Sequence, residues 1–215
     1  MKKIAVVLSG CGAFDGAEIH ETTLSLYAIE KQGASYETFA PNVNQHHVIN
    51  HITGEEMDET RNVLIESARI SRGNIKPASQ FSADDFDALF IPGGFGAAKN
   101  LSDWGIKGSD ATVIPEIRAI IKAMVDAGKP IGATCIAPVL LALLYQDTKM
   151  TIGEDAGTIE TLESLGIKHE KTTHGEVVVD EKYNLFTTPC YMLDANIRQI
   201  GDGAENIVKA MLEIM

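Results

Sequence analysis

Cys135 stands in the segment ATCIAP (133–138), after an apolar run and three residues before a proline. A cysteine between a strand and a helix whose first position is Pro138 has the context of a nucleophile elbow, which lifts the side chain above a sheet. Small neighbours, Ala133 and Ala137, let such a bend close, and a helix N-terminus there would favour the thiolate and lower its pKa. A buried thiol that merely fills space fits the same position, so position alone leaves both readings open. Two further segments hold suitable partners. SGCGAFDG (9–16) leads into AEIHE, where Asp15 and Glu18 have capping-box spacing. Capping explains Glu18. Glu21, one turn further on the same helical face, is not needed for a cap and is free to point at Cys135 as a general acid–base. PGGFG (92–96) offers the N–H groups of Gly93 and Gly94 with no Cβ in the way; with the N–H of Ile136 they could form an oxyanion hole, although a turn that merely needs glycine reads the same. Cys11 also lies beyond a strand end, but no helix start follows it directly, so it reads as a wall residue.

These segments need a scaffold that brings them to one edge, and the rest of the chain supplies its pattern. Ile4–Leu8 and Ala88–Ile91 are continuous apolar runs, as expected of parallel strands covered on both faces; Ser35–Phe39 and Pro130–Thr134 read as further strands. A helix is expected from about Ala17 to Gln32, stopped by Gly33. Ile117, Ile120, Ile121, Met124 and Val125 form an amphipathic helix ended by Gly128. Another helix covers Val139–Tyr145. After Met150 come a short strand, a helix ending near Gly166, and EVVVDEKYNLFTT, a hairpin turning around Glu181–Asn184. Val208, Met211, Leu212 and Met215 stripe the closing helix. Alternating strands and helices predict an α/β fold, a three-layer α/β/α sandwich with a mainly parallel sheet. Ligands in such sheets bind beyond the carboxyl ends of the strands, where the three unusual segments would converge. Residues 44–80 read as a loop and a polar helix elaborating one domain that covers 1–215.

The 215 residues carry 18 Lys plus Arg against 30 Asp plus Glu, a net charge of −12. Such a surface repels nucleic acid and anionic membranes, which leaves a small molecule as the expected partner. No apolar run approaches the ~20 residues that span a bilayer. The start MKKIAVVLSG is too short in its apolar part for a signal segment and reads as the first buried strand. Cys11, Cys135 and Cys190 form no metal-like pair and suit a reducing compartment, for which a cytoplasmic location is expected. His46, His47 and His51 lack a Cys or carboxylate partner motif and read as a solvated loop, so no metal and no cofactor are expected.

The motifs KKIAVVLSGCG-x-x-DG-x-EIHE, INHITGE, ETRNVLIE-x-ARI, IPGGFGAAKNLS, CIAP and TTP-x-YML together resemble the ElbB-type branch of the ThiJ/PfpI superfamily, over essentially the whole chain. The resemblance implies a flavodoxin-like, class I glutamine amidotransferase-like fold, an elbow cysteine at Cys135, a nearby carboxylic acid at Glu21, and a homodimer. It also implies a glutathione-independent glyoxalase, a lyase turning glyoxal-type dicarbonyls into hydroxy acids, with an older link to isoprenoid biosynthesis. Two departures bear on the alternatives. Many PfpI-type proteins place His directly after the cysteine, whereas this chain has Ile136. Amidotransferases carry His-Pro-Glu after a late strand, whereas this chain has Thr188-Pro189-Cys190; His174-Gly175-Glu176 falls one element too early. A cysteine-based redox sensor or binding protein is the alternative reading, since a thiol beside a carboxyl group can be oxidised to a sulfinic acid. An amidotransferase-like subunit ranks below it.

Overall fold

The computed structural model describes all 215 residues. A seven-stranded sheet runs through the centre in the order β3-β2-β1-β4-β5-β9-β8. Its strands are β1 (Lys3–Val7), β2 (Ser35–Ala40), β3 (Ile75–Pro77), β4 (Ala88–Ile91), β5 (Ile131–Thr134), β8 (Val178–Asp180) and β9 (Leu185–Thr188). All neighbours pair in parallel except β8, which returns antiparallel to β9. A separate two-stranded ribbon joins β6 (Lys149–Met150) and β7 (Lys168–His169).

Strand alternation sorts the core into two layers. Ile4 and Val6 of β1 and Phe90 of β4 face α1 (Ile19–Lys31) and α8 (Ile197–Leu212), packing with Leu26, Ile29, Ile207, Val208 and Met211. Ala5, Val7, Leu89 and Ile91 face the other way, onto α5 (Pro115–Asp126) and α6 (Pro138–Ala142) through Ile117, Ile121, Met124 and Leu140. Side chains of period two on strands meet stripes of period 3.6 on helices, and both faces of the sheet are covered. The result is a three-layer α/β/α sandwich, as the sequence pattern predicts, and of the flavodoxin-like type that the resemblance implies. Gly132 sets the approach of α8: a Cβ there would lie 2.5 Å from Met211 Sδ and 2.8 Å from Phe90.

Segment 44–80 departs from its expected form. It contains the helix α2 (Val63–Ile70), whose Val63, Glu66 and Ser67 are buried, and then β3, which extends the main sheet as an edge strand. Ile75-Lys76-Pro77 gives no strand signal because it is short and ends in proline, a residue tolerated only where the ladder ends. The preceding loop is braced by isolated bridges, Asn44 to Asn62 and Ile49 to Glu56. The remaining helices are α3 (Phe95–Lys99), α4 (Trp104–Lys107) and α7 (Ala156–Ser164), and no helix is long and apolar enough to cross a membrane.

The chain moves outward from β1 to β2 and β3, then returns to place β4 on the other side of β1. That reversal opens a crevice at the carboxyl ends of β1 and β4, with β5 beside it.

Candidate active site

Cys135 occupies the first position after β5, and its φ is +58°, left-handed for a residue with a Cβ. Such a conformation costs on the order of 1–2 kcal/mol and persists only where the surroundings impose it. Here the Cys135 N–H donates to Thr188 O on β9 (3.0 Å), and Pro138 opens α6 immediately after the turn. The strand-to-helix elbow therefore forms as the residue types suggest. The sulfur faces the N–H groups of Gly94 and Ile136. The expected lowering of its pKa does not follow. Burial pushes the thiol well above its ordinary value, the neighbouring Glu21 carboxylate adds to that, and the two N–H donors only partly offset it. A five-residue helix supplies too little dipole to overcome desolvation.

Glu21 is buried at 1% exposure, in the first turn of α1. One carboxyl oxygen, Oε2, accepts from the Gly93 N–H (3.1 Å) and the Thr134 hydroxyl (3.2 Å); the other, Oε1, accepts from the Tyr191 N–H (3.2 Å). The Cys135 thiol lies beside the same carboxyl group, both meeting the turn at Gly93. Desolvation, with the nearby Glu18 carboxylate, raises the Glu21 pKa to about 7 against the pull of those donors. Near neutral pH the carboxyl group therefore passes between its acid and base forms beside a thiol that burial keeps protonated, a titration the sequence reading does not anticipate. Because Glu18 contributes to that elevation, Glu18→Gln is expected to shift the acid limb of any Glu21-dependent pH–rate profile to lower pH. An unshifted limb would show that the Glu18 charge is not felt at Glu21.

Glu18 caps α1, but the Asp15–Glu18 capping box does not form. Glu18 is itself the N-cap, its Oε2 accepting from the Glu21 N–H at 2.7 Å, and the helix begins at Ile19 rather than near Ala17. Glu18 stays extended because the segment is tied to the glycine turn: Glu18 N–H donates to Gly93 O (2.9 Å) and Gly96 N–H to Gly16 O (2.8 Å). Asp15 turns away instead and accepts the N–H of Ile49 (2.8 Å), pinning the 44–80 segment to the site.

Gly93 also departs from its expected role. Its N–H is engaged by Glu21 and by Thr134 Oγ1 (3.0 Å), so it orients the carboxyl group and leaves Gly94 and Ile136 as the donors beside the sulfur. Gly94 has φ +96°, and a Cβ there would meet Glu18 N and Gly16 O, both at 2.4 Å. At Gly93 a Cβ would lie 2.4 Å from Cys135 Cβ and 2.5 Å from Glu21 Oε2. Gly93→Ala is accordingly expected to lower stability by about 1–3 kcal/mol, the usual cost of overpacking, and to disable the thiol–carboxyl contact. Urea melts and thiol titration of the variant check this; an unperturbed thiol would mean the turn yields easily.

A cavity of about 550 Å³ opens over the sulfur, lined by Phe14, Glu18, Gly94, Phe95, Cys135, Ile136, Asp155, Tyr191 and Met192 among others. Cys135, Gly94, Ile136 and Glu18 meet there, with Glu21 buried beneath. Cys11 does not line it; it lies beside Glu66 and Arg69 of α2. His174 lines a separate depression with Lys171 and Asp194. The sequence reading missed Thr134, Tyr191 and Cys190. Cys190 is buried with φ +43°, and burial and Glu21 raise its thiol well above its usual range. Tyr191 also bonds His20 through its hydroxyl (2.8 Å). His51 stacks on Phe14 with centroids 4.8 Å apart and accepts its N–H (3.2 Å), so the 44–80 segment holds one wall of the cavity.

The DJ-1/PfpI family model matches residues 2–190. The chain belongs to the DJ-1/PfpI family. Among relatives, "ES1 protein homolog, mitochondrial" of Rattus norvegicus is 44% identical over 99% of this chain and 84% of its own length. "Glutamine amidotransferase-like class 1 domain-containing protein 3, mitochondrial" of Homo sapiens is 43% identical over 99% and 83%. The crystal structure of an isoprenoid biosynthesis protein with amidotransferase-like domain from Ehrlichia chaffeensis superposes with a TM-score of 0.91 at 34% identity, covering 99% of each chain. Drosophila melanogaster DJ-1beta shares the DJ-1/PfpI fold with a TM-score of 0.57 at 18% identity. The curated relatives are named mitochondrial, which overturns the expectation of a cytoplasmic location. Unpaired thiols report a reducing environment without saying which compartment provides it.

Proposed function

We propose that the chain is a cysteine-dependent glyoxalase that needs no glutathione. What supports this is a single conjunction: the Cys135 thiol, held at an elbow, lies beside a carboxyl group whose pKa burial raises to about 7, and two N–H donors face the same sulfur under an open cavity. Sγ adds to an aldehyde carbon of glyoxal while its proton passes to Glu21 and on to the new hydroxyl oxygen. The Gly94 and Ile136 N–H groups steady the oxyanion as it forms. Glu21 then removes the hydrogen on the sulfur-bearing carbon as a proton, giving an enediol, and the proton returns at the adjacent carbon to leave a thioester. Water cleaves the C–S bond, releasing glycolate and restoring the thiol. One carbon is oxidised and its neighbour reduced, so the balance requires only water.

An amidotransferase reading lacks its base: no histidine lines the cavity, and the place of the expected His holds Thr188, whose hydroxyl donates to Glu176 O (2.7 Å). The deciding experiment is glyoxal turnover by the purified protein, measured as glycolate formed; a rate no greater than that of free cysteine would end the proposal. Because each step uses side chains and water alone, turnover is expected to survive EDTA and dialysis. Loss on chelation with recovery on added zinc would overturn that expectation.

A further inference from the structure

A second depression, of about 350 Å³, shares the Phe14 and Phe95 rings with the cavity over Cys135 but none of its reacting groups; His47, Ile49, Gly54 and Lys99 complete it. A hollow of this size suits a small ligand. Its charged or titratable side chains are two bases and no acid. Lys99 closes α3, and its ammonium lies 3.3 Å from His47 Nε2 and 5.2 Å from the centre of the Phe95 ring. The other half-buried lysines of this acidic chain meet oxygen acceptors: Lys3 pairs with Glu37, Lys149 with Glu170, and Lys129 with the carbonyls of Ala83 and Phe86. Lys99 faces a base instead. That juxtaposition is built into the fold. Asn100 accepts the His46 N–H through Oδ1 and donates to Ser9 O and Asp15 O, all at 2.8 Å, which fixes the loop before α2 onto the end of α3. His47 is accordingly half-buried, not part of the solvated loop its sequence suggests. The acids nearby do not fill the gap. Asp15 accepts the Ile49 N–H and lies 3.9 Å from His51 Nε2. The Glu56 charge reaches His47, but burial, Lys99 and His46 outweigh it and lower the His47 pKa.

We propose that this depression binds a phosphate dianion, free or as the head of a small monoester, which accepts hydrogen bonds from both Lys99 Nζ and His47 Nε2. With the imidazole neutral, Nε2 accepts one ammonium hydrogen and two remain for a ligand. An anion seated against both nitrogens draws a proton from solvent onto Nε2, after which both donate. Two positive charges then answer two negative ones, whereas a monocarboxylate answers Lys99 alone. Phosphate has a second ionisation near pH ~6 and is largely dianionic at neutral pH, and lysine serves as a point charge for such groups. The Phe14 and Phe95 rings offer the organic part of a monoester an apolar surface. The proposal is independent of the glyoxalase reading, since it uses neither Cys135 nor Glu21.

Inorganic phosphate is titrated into the whole chain at constant ionic strength, with sodium chloride making up the difference, and the histidine rings are followed by NMR. The His47 signals are expected to shift saturably and the His47 pKa to rise by about one unit in saturating phosphate, a tenfold gain in proton affinity, while His46 and His51 move far less. Lys99→Met keeps the apolar length of the side chain and is expected to weaken phosphate binding at least ~10-fold, the scale of a lost hydrogen bond to a charged group. Lys209→Met, on the exposed face of α8, removes the same charge and is expected to leave binding unchanged. His47→Gln keeps a donor but cannot titrate, so the proton uptake that accompanies phosphate binding, measured by calorimetry in two buffers of different ionisation enthalpy, should vanish. Phenyl phosphate separates the sources: tighter binding than inorganic phosphate assigns a monoester, equal binding assigns free phosphate, and both uphold the site. A shift no larger than chloride produces, acetate bound as tightly as phosphate, equal losses in the two lysine variants, or proton uptake that persists in His47→Gln would each overturn the proposal.

Discussion

Cys135→Ser is expected to lower kcat for glyoxal by at least ~10³-fold, the scale on which loss of a covalent nucleophile is felt. The substitution keeps the small polar side chain, the left-handed turn and the contact with Glu21, so the fold has no reason to change. The chemistry changes because a hydroxyl is far less acidic than a thiol and Glu21, with a pKa of about 7, is too weak a base to activate it. Turnover of the variant against the wild type, with thermal midpoints for both, checks this. If a tenth or more of the activity survives, the cysteine is not the nucleophile, and a redox role for this thiol, with incidental aldehyde chemistry elsewhere, becomes the better account. Parallel loss of activity in Cys11→Ser would also weaken the assignment, since Cys11 lies outside the cavity.

Glu21→Gln is expected to lower kcat by ~10²–10⁴-fold, the contribution of a positioned general acid–base. The pH dependence gives the sharper test. The carboxyl group must be ionised to take the thiol proton, so wild-type kcat/KM should climb with pH through about 7 and then level, and the variant should lose that limb. Stability moves the opposite way. Glu21 titrates at about 7 in the folded chain against an ordinary 4.5, so the folded state holds the proton more tightly than the unfolded one. Its contribution is therefore most favourable below about pH 4.5 and is lost as pH rises to about 7. At about 1.4 kcal/mol per pH unit, the loss is about 3 kcal/mol. Denaturant melts at pH 5 and pH 8 should show this decline in the wild type relative to Glu21→Gln, which cannot titrate. Equal pH slopes in the two proteins would mean the carboxyl group is not held in its raised state. Glu18→Gln supplies the control: a glutamine oxygen can still cap α1 at the Glu21 N–H, so it should cost much less in kcat. If it is the more damaging of the two, the catalytic carboxyl group has been assigned to the wrong turn.

The trade between activity and stability at Glu21 follows from burying an acid beside the Glu18 carboxylate, which raises its pKa against the pull of its donors. Three of its contacts come from residues 72, 113 and 170 positions away, Gly93, Thr134 and Tyr191. None has a local signature. Tyr191 donates through its backbone, which any residue but proline could do, and Thr134 looks like one more strand residue.

What the sequence determined by itself was whatever depends on near neighbours in the chain. The apolar runs at Ile4–Leu8 and Ala88–Ile91, the stripe from Ile117 to Val125, and the glycines at 33 and 128 specify elements through periods of two and 3.6 and through turn conformations; the structure forms those elements with ends shifted by a residue or two. The elbow at Cys135 belongs to the same class, because a strand, small residues and Pro138 suffice to bend it. Tertiary structure alone decided the rest. Asp15 has a capping spacing, yet Gly93 O holds Glu18 extended and Ile49 N–H takes the Asp15 carboxyl group. The Gly93 N–H serves Glu21 because Thr134 and α1 reach it first. Segment 75–77 becomes a strand only because β2 offers it an edge. The thiol rises in pKa because burial at the floor of the cavity outweighs a short helix dipole. Each of these depends on the exclusion of water and on donors brought from afar, and neither exists until the chain has closed around the site.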